Sequence, residues 1–198
     1  MLIFNKLKDK VRYYIIPLAR IVPFSPNTIT FIGLIISLLA ALMFGLGELI
    51  LAGLLIVLSG FFDVLDGAAA RINKKMTNFG AFLDSICDRY ADAIVFVGII
   101  YGTLSGNILG GEPFLGIQLW FWCLLALIGS YIVSYSRSRA EASGAIDMNI
   151  GIAERSERMI ILAIGAITGL ITIAVILIVL ITHITILQRI VHAKKYLD

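Results

Sequence analysis

Charge is what this chain has least of. Only 15% of its 198 residues are Asp, Glu, Lys or Arg, against 60% hydrophobic, and its mean hydropathy is +0.98. A soluble globular domain carries about 25% charged residues, so this scarcity excludes a large water-soluble domain and any nucleic-acid partner. Cysteine is nearly as rare. Cys87 and Cys123 both fall in apolar stretches without metal-ligand or redox spacing, which excludes a disulfide framework and leaves them as small core residues. His183 and His192 are too isolated to form a metal site and suit an interfacial position. After Met1 the stretch "LIFNKLKDKVRYYII" is basic and interrupted, with no apolar run ending in a small-residue cleavage site, so no signal peptide is expected.

What remains is oil, and it is cut into membrane-sized pieces. One crossing needs about 20 apolar residues. Hydropathy and breakers predict helices near Thr28–Leu46, Leu49–Ile72, Phe79–Leu104 and Ile117–Glu141. The apolar stretch from Met159 to Val191 would make roughly 50 Å of helix, too long for one ordinary crossing. A break near Gly165, Gly169 and their neighbouring threonines divides it into a short fifth and a longer sixth helix.

The basic residues give an independent check, because loops retained in the cytoplasm hold Lys and Arg. With six spans and a cytoplasmic N-terminus, all 16 basic residues fall on one side. They comprise the cluster from Lys6 to Arg20, the joint with Arg71, Lys74 and Lys75, then Arg89, Arg137, Arg139, Arg155, Arg158, Arg189, Lys194 and Lys195. Five spans would strand the last cluster on the opposite side. Leu2 to Val22 interleaves basic residues with Leu7, Val11, Tyr14, Ile15 and Leu18, a pattern suited to an anionic membrane surface or to a solvated basic tail. The expectation is an all-α polytopic membrane protein with six transmembrane helices and an N-terminal amphipathic interfacial helix. Residues 1–22 form the juxtamembrane segment and 23–198 the membrane domain. Both termini and the active site face the cytoplasm.

Against that background five acids stand out. Asp63 and Asp66 lie three apart and Asp84, Asp88 and Asp92 step by four, so each set projects from one helix face. The joint "RINKKMTNFG" is short, which makes the two helices antiparallel neighbours with their carboxylates at one end. Ionised carboxylates there are costly and repel one another. Salt bridges to Arg71 and Arg89, or a proton or sodium relay in a cation transporter, would account for them. A divalent metal site fits better, since hard cations take carboxylate oxygens and leave positions for water and substrate phosphates. Gly67, Ala68, Ala69 and Ala70 strip bulk from the helix beyond the acids. They leave either a slot for a ligand closed by the forked donor of Arg71, or a surface for close helix packing.

The pattern Asp, two residues, Asp-Gly, two residues, Ala-Arg, eight residues, Gly, three, Asp, three, Asp resembles the signature of the CDP-alcohol phosphotransferases. Asp63, Asp66, Gly67, Ala70, Arg71, Gly80, Asp84 and Asp88 fill every position. The resemblance implies six spans, two Mg²⁺ or Mn²⁺ ions per site and a homodimer. It implies that Asp63, Asp66 and Asp84 bind the metals, while Asp88 contacts one of them and is the general base. Gly67 and Arg71 would meet the CDP pyrophosphate with Asp66 beside them, and Thr77 the nucleotide. Asn27 and Thr30 of "SPNTIT" would add cytidine contacts, although the same stretch is also a helix start with Pro and a capping Asn or Thr. In such an enzyme an alcohol attacks the lipid-side phosphorus of a CDP-lipid and displaces CMP.

A second cluster bears on the alcohol. With Ser134 beside them, Arg137, Arg139, Arg155, Arg158 and Arg189 are more cations than a neutral acceptor needs, and Arg is the preferred fork for phosphate. Positive-inside anchoring with Glu141, Glu154 and Glu157 as partners would also place them. "SYSRSRAEASG", "IAERSERMIIL" and "ILQR" are similar to segments of the phosphatidylinositol phosphate synthase branch and its archaeal-lipid counterparts. That resemblance implies an acceptor-phosphate pocket at Ser134, Arg137, Arg139, Arg155 and Arg189, with inositol 1-phosphate as acceptor and a diacylglycerol or archaeol CDP-lipid as donor. Phosphatidylglycerophosphate and phosphatidylserine synthases are the alternatives within the family. Asp92 stays outside the signature, one turn deeper on the same face, to orient the metal shell or pair with a basic residue.

Overall fold

The computed structural model describes residues 24–72, 76–108 and 114–197, together with Pro17. The expected interfacial helix over Leu2–Val22, apart from Pro17, and the basic pair Lys74 and Lys75 lie outside the described residues.

Residues 24–197, where described, form six helices: α1 (Pro26–Leu46), α2 (Leu49–Ile72), α3 (Asn78–Leu104), α4 (Leu119–Ala142), α5 (Arg155–Thr168) and α6 (Ile171–Leu197). Their ends obey local chemistry. Ser25 caps α1 by accepting the Thr28 N–H at 3.2 Å, with Pro26 in the first turn, so the capping side chain is Ser25 and not the Asn or Thr expected from "PNTIT". Thr77 caps α3 by accepting from Gly80 N at 2.9 Å. The predicted break falls at Gly169, where φ is +76°. Gly165 lies inside α5, where an added Cβ would come within 2.3 Å of Ala174 Cβ. It brings α5 and α6 together instead of ending a helix. The fourth helix begins at Leu119, two residues after the expected start, because Phe114 and Ile117 exchange backbone hydrogen bonds in a tight turn.

The helices form two groups of three. α1 packs on α2 and α3, α4 and α5 pack on α6, and the groups join through α2 on α5 and α3 on α4. Their shared core includes Phe44, Ile56, Phe96, Ile99, Leu162 and Ile178, with Cys123 buried among them as a free thiol. Small residues set the closest seam. A Cβ on Gly98 would lie 2.3 Å from the carbonyl oxygen of Ala41, so α3 rests against the α1 backbone. The opposite surfaces are apolar and open: Ile35, Leu38, Leu39 and Leu42 on α1, and Ile50, Leu54 and Val57 on α2 are all exposed. Such a belt is a hazard in water and the ordinary exterior of a bundle in lipid. Four helices, α1, α2, α4 and α6, are long and apolar enough to cross a membrane. α5 has 14 residues, and the first half of α3 carries Asp84, Asp88, Arg89 and Asp92.

If the α1–α3 seam depends on that glycine, Gly98→Leu costs roughly 1–3 kcal/mol of overpacking. The expected result is an unfolding midpoint in detergent lowered by several degrees, read by differential scanning fluorimetry; an unchanged midpoint would contradict the packing.

Candidate metal and phosphotransfer site

The acids converge where the C-terminal half of α2 meets the N-terminal half of α3. Ligand oxygens of Asp63, Asp66 and Asp84 all lie within 4.8 Å of one another. Asp63 and Asp66 line a small pocket with Thr30, Gly33, Ser59, Cys87, Asp88 and Arg155. The Thr30 hydroxyl contacts Asp66 Oδ2 at 2.6 Å, shorter than its 3.1 Å contact to Pro26 O. Thr30 therefore orients a carboxylate of the acid cluster. Below it, Ser37 and Ser59 hydrogen-bond each other at 2.8 Å and both reach the Gly33 carbonyl, tying α1 to α2 beneath the acids.

The expected Arg89 does pair with these acids, at Asp88, but Arg155 reaches more of them. Arg155, the first residue of α5, places Nη1 3.0 Å from Asp63 Oδ1 and 2.8 Å from Asp88 Oδ1, while its Nε donates to Asp92 Oδ1 at 3.2 Å. Arg89 adds a longer contact of 3.4 Å to Asp88 Oδ2. Asp88 is thus flanked by two guanidinium groups and lies outside the tight group of three acids. The buried Oδ1 of Asp84 accepts no hydrogen bond among the described residues. An orphaned carboxylate oxygen inside a cluster of hard oxygen donors suits a divalent cation. Asp63, Asp66 and Asp84 are the residues that fit it.

Two residues expected at the nucleotide, Asn27 and Thr77, lie close to each other beside Gly80. A Cβ on Gly80 would meet Thr77 Oγ1 at 3.0 Å and Asn27 Oδ1 at 3.4 Å, so Asn27, Thr77 and Gly80 adjoin. Among the described residues a Cβ on Gly67 would meet only Arg71 Nη2, at 3.5 Å. The protein's own packing therefore does not demand glycine at 67, and the space beside it faces Arg71. The alanines divide: Ala68 and Ala69 are buried with Ile29 and Leu65 in close helix packing, while Gly67 and Ala70 remain half-exposed.

The second arginine cluster is less unified than its composition implied. Arg137 is exposed and bonds Glu141 Oε1 at 2.9 Å and Asn149 Oδ1 at 3.3 Å. Arg139 is exposed as well. Ser134 turns its hydroxyl back to Ser130 O at 3.3 Å. Arg189 is buried and donates to two backbone carbonyls, Ile150 O at 3.1 Å and Val133 O. Arg155 sits on the acids, so these side chains do not close on one another as a single pocket.

Sequence reasoning missed Arg155 as the acids' counter-ion, and missed Gly33, Ser59 and Cys87 as pocket lining. A signal for the first was present. Arg155 and Arg158 share a face by their spacing of three, as Asp88 and Asp92 do by their spacing of four, so the faces are complementary in charge and pitch.

The chain belongs to the CDP-alcohol phosphatidyltransferase family, whose profile matches residues 24–195. It is a CDP-alcohol phosphotransferase, and the cation-transporter alternative falls away. An archaetidylinositol phosphate synthase from Pyrococcus horikoshii is 42% identical over 200 residues, covering 98% of both chains. The crystal structure of Mycobacterium tuberculosis phosphatidylinositol phosphate synthase with CDP-DAG bound superposes with a TM-score of 0.79 at 31% identity, covering 92% of this chain and 94% of that one. The same mycobacterial enzyme in complex with manganese and citrate gives a TM-score of 0.78 at 30% identity, over 92% and 90% of the two chains.

Removing the orphaned oxygen's charge tests the metal assignment. Asp84→Asn is expected to weaken Mn²⁺ binding to the purified protein by on the order of tenfold or more. Electron paramagnetic resonance of free Mn²⁺ reads this directly, and wild-type affinity in the variant would remove Asp84 from the ligand set.

Proposed function

We propose that this enzyme transfers the phosphatidyl-type phosphate of a CDP-activated lipid to inositol 1-phosphate, releasing CMP, in phospholipid biosynthesis. The donor's lipid is a diacylglycerol or an archaeol. The carrying observation is the acid cluster on α2 and α3, with its orphaned Asp84 oxygen, joined through Arg155 to the arginine-rich end of α4, α5 and α6. The names of the relatives favour the same acceptor, and that of the CDP-DAG complex favours the same class of donor.

The residues divide the work by position. Asn27, Thr30, Thr77 and Gly67 form the donor side, and Arg71 supplies a forked cation to the pyrophosphate. Two Mg²⁺ or Mn²⁺ ions held by Asp63, Asp66 and Asp84, with Asp88 on one of them, would neutralise the pyrophosphate oxygens and ease departure of CMP. Asp88 takes the proton from the acceptor hydroxyl as its oxygen bonds to the lipid-side phosphorus and the bond to CMP breaks. Arg155 stands beside Asp88, so a phosphate held by Arg155 keeps the acceptor within reach of the base. Arg137, Arg139, Ser134 and Arg189 complete the acceptor side, Arg189 by fixing its wall. The reading includes six crossings, with α3 and α5 spanning as well, a homodimer, and both termini and the site at the cytoplasmic surface. There a soluble phosphate ester and a lipid tail can both reach the acids.

The test is CMP release from CDP-lipid with inositol 1-phosphate, glycerol phosphate, serine and free inositol, each with Mg²⁺ or Mn²⁺. Inositol 1-phosphate is expected to give the highest kcat/KM; preference for glycerol phosphate or serine would reassign the enzyme within its family. Asp88→Asn is expected to lower kcat by about 10²–10⁴-fold, with normal turnover removing the base assignment. Arg137→Ala should raise the acceptor KM about tenfold, the loss of one charge-assisted contact, and leave nucleotide binding intact. An unchanged acceptor KM would move the phosphate pocket elsewhere.

A further inference from the structure

Asp92 and Arg158 lie beyond the family signature and outside every role assigned above, yet they form the most deeply buried ion pair among the described residues. Their side chains are 2% and 1% exposed, with Arg158 Nη2 2.6 Å from Asp92 Oδ2. A buried pair of this kind is a poor stability device, because desolvating both ions offsets most of their attraction. This one is also incompletely satisfied, since Arg158 Nε has no hydrogen-bond partner among the described residues. Such a pair is better explained by the geometry it enforces.

That geometry centres on Arg155. Asp92 uses its two oxygens for two arginines: Oδ2 holds Arg158, and Oδ1 accepts from Arg155 Nε at 3.2 Å. Arg158 in turn donates Nη1 to Ala153 O at 2.7 Å, fixing the backbone two residues before Arg155. Arg155 is therefore held at its root through Ala153 and at its Nε through Asp92. The remaining fork is left aimed at Asp63 and Asp88. Without the Nε contact the guanidinium could rotate about its stem and still pair with either acid, so those ion pairs alone do not set its orientation.

We infer that Asp92 and Arg158 are positioning residues for acceptor binding, acting through Arg155. This rests on the proposed role of Arg155 at the acceptor phosphate. Neither residue touches substrate. Asp92 fixes the rotation of the Arg155 fork, and Arg158 fixes Asp92 together with the turn that delivers Arg155 to the acids.

The experiment measures steady-state CMP release by the full chain in detergent, with whichever acceptor the wild-type enzyme prefers in the panel above. Failure of the inositol phosphate reading then shows in the wild type, and failure of this inference shows only in the variants. Asp92→Asn keeps the shape but cannot accept equally from both arginines. It is expected to raise the acceptor KM about tenfold, with the CDP-lipid KM within about twofold of wild type. In an Arg155→Ala background the same substitution should add less than about twofold, because the residue it positions is gone. Effects that multiply in the double variant would overturn the inference. So would a loss confined to the unfolding midpoint and kcat with the acceptor KM unchanged, which is the signature of a purely structural pair. Arg158→Lys guards against an Asp92 variant that does not fold. It keeps a cation on Asp92 but cannot fork to Ala153, and it should raise the acceptor KM about threefold, again without effect in the Arg155→Ala background. An acceptor KM equal to wild type in Arg158→Lys would count against the positioning role.

Discussion

One guanidinium group carries the electrostatics of this protein. α2 and α3 bring carboxylates to a shared end of an apolar bundle, where two like charges about 4 Å apart cost about 4 kcal/mol at the effective dielectric of a protein surface. Carboxylates crowded in this way stay ionised only where a cation answers them. Arg155 answers from a different part of the chain, meeting Asp63 on α2 and Asp88 and Asp92 on α3. In doing so it draws the start of α5 against α2 and α3. The join between the two groups of three is therefore electrostatic at this end and apolar through the middle, where Ile56, Phe96, Leu162 and Ile178 share one core.

Much of this was legible in the sequence because its signals are local. Gly47 at φ +84° and Gly169 at +76° end helices for reasons that need no knowledge of the rest of the fold. The spacing of Asp63, Asp66, Asp84 and Asp88 fixes which helix faces carry acid, and a short joint fixes that those faces meet. Asp92 was left to choose between a metal shell and a basic partner, and it takes the partner, Arg158. The spacings mark Arg155 and Arg158 as a face complementary to Asp88 and Asp92, but which acid each arginine takes depends on how α5 leans on α2 and α3, which no periodicity records. The capping residue at α1 was misassigned for a smaller reason. Ser25, Asn27 and Thr28 are all competent caps, and Pro26 at the first helical position selects the residue before it.

The arginines show how far composition can mislead by pooling. Arg137, Arg155 and Arg189 look like one basic cluster in sequence, yet their surroundings differ in kind. Arg137 is in contact with solvent and with Glu141, Arg155 pairs with carboxylates through Nη1 and Nε, and Arg189 is buried against backbone carbonyls. A positive-inside count treats them alike because it asks only on which side a charge lies. Their chemistry depends on what each is bonded to, and for Arg189 those partners are the main chain of Val133 and Ile150, which carries no sequence signal at all.

The segment between α4 and α5 carries this last point further. It has no regular structure, yet Thr185 accepts the Ile152 N–H at 3.1 Å, Arg189 takes the Ile150 carbonyl, Arg158 takes that of Ala153, and Met148 is buried beneath. A Cβ on Gly151, at φ +105°, would strike Thr185, so the segment lies flat on α6. A surface braced at three successive points loses little freedom when a small molecule settles on it. Under the proposed function, one side of the acceptor's berth is thus built before the acceptor arrives. Selectivity there would be a matter of rigid fit, with alcohols sorted by whether they match a template already set and not by their power to reshape it.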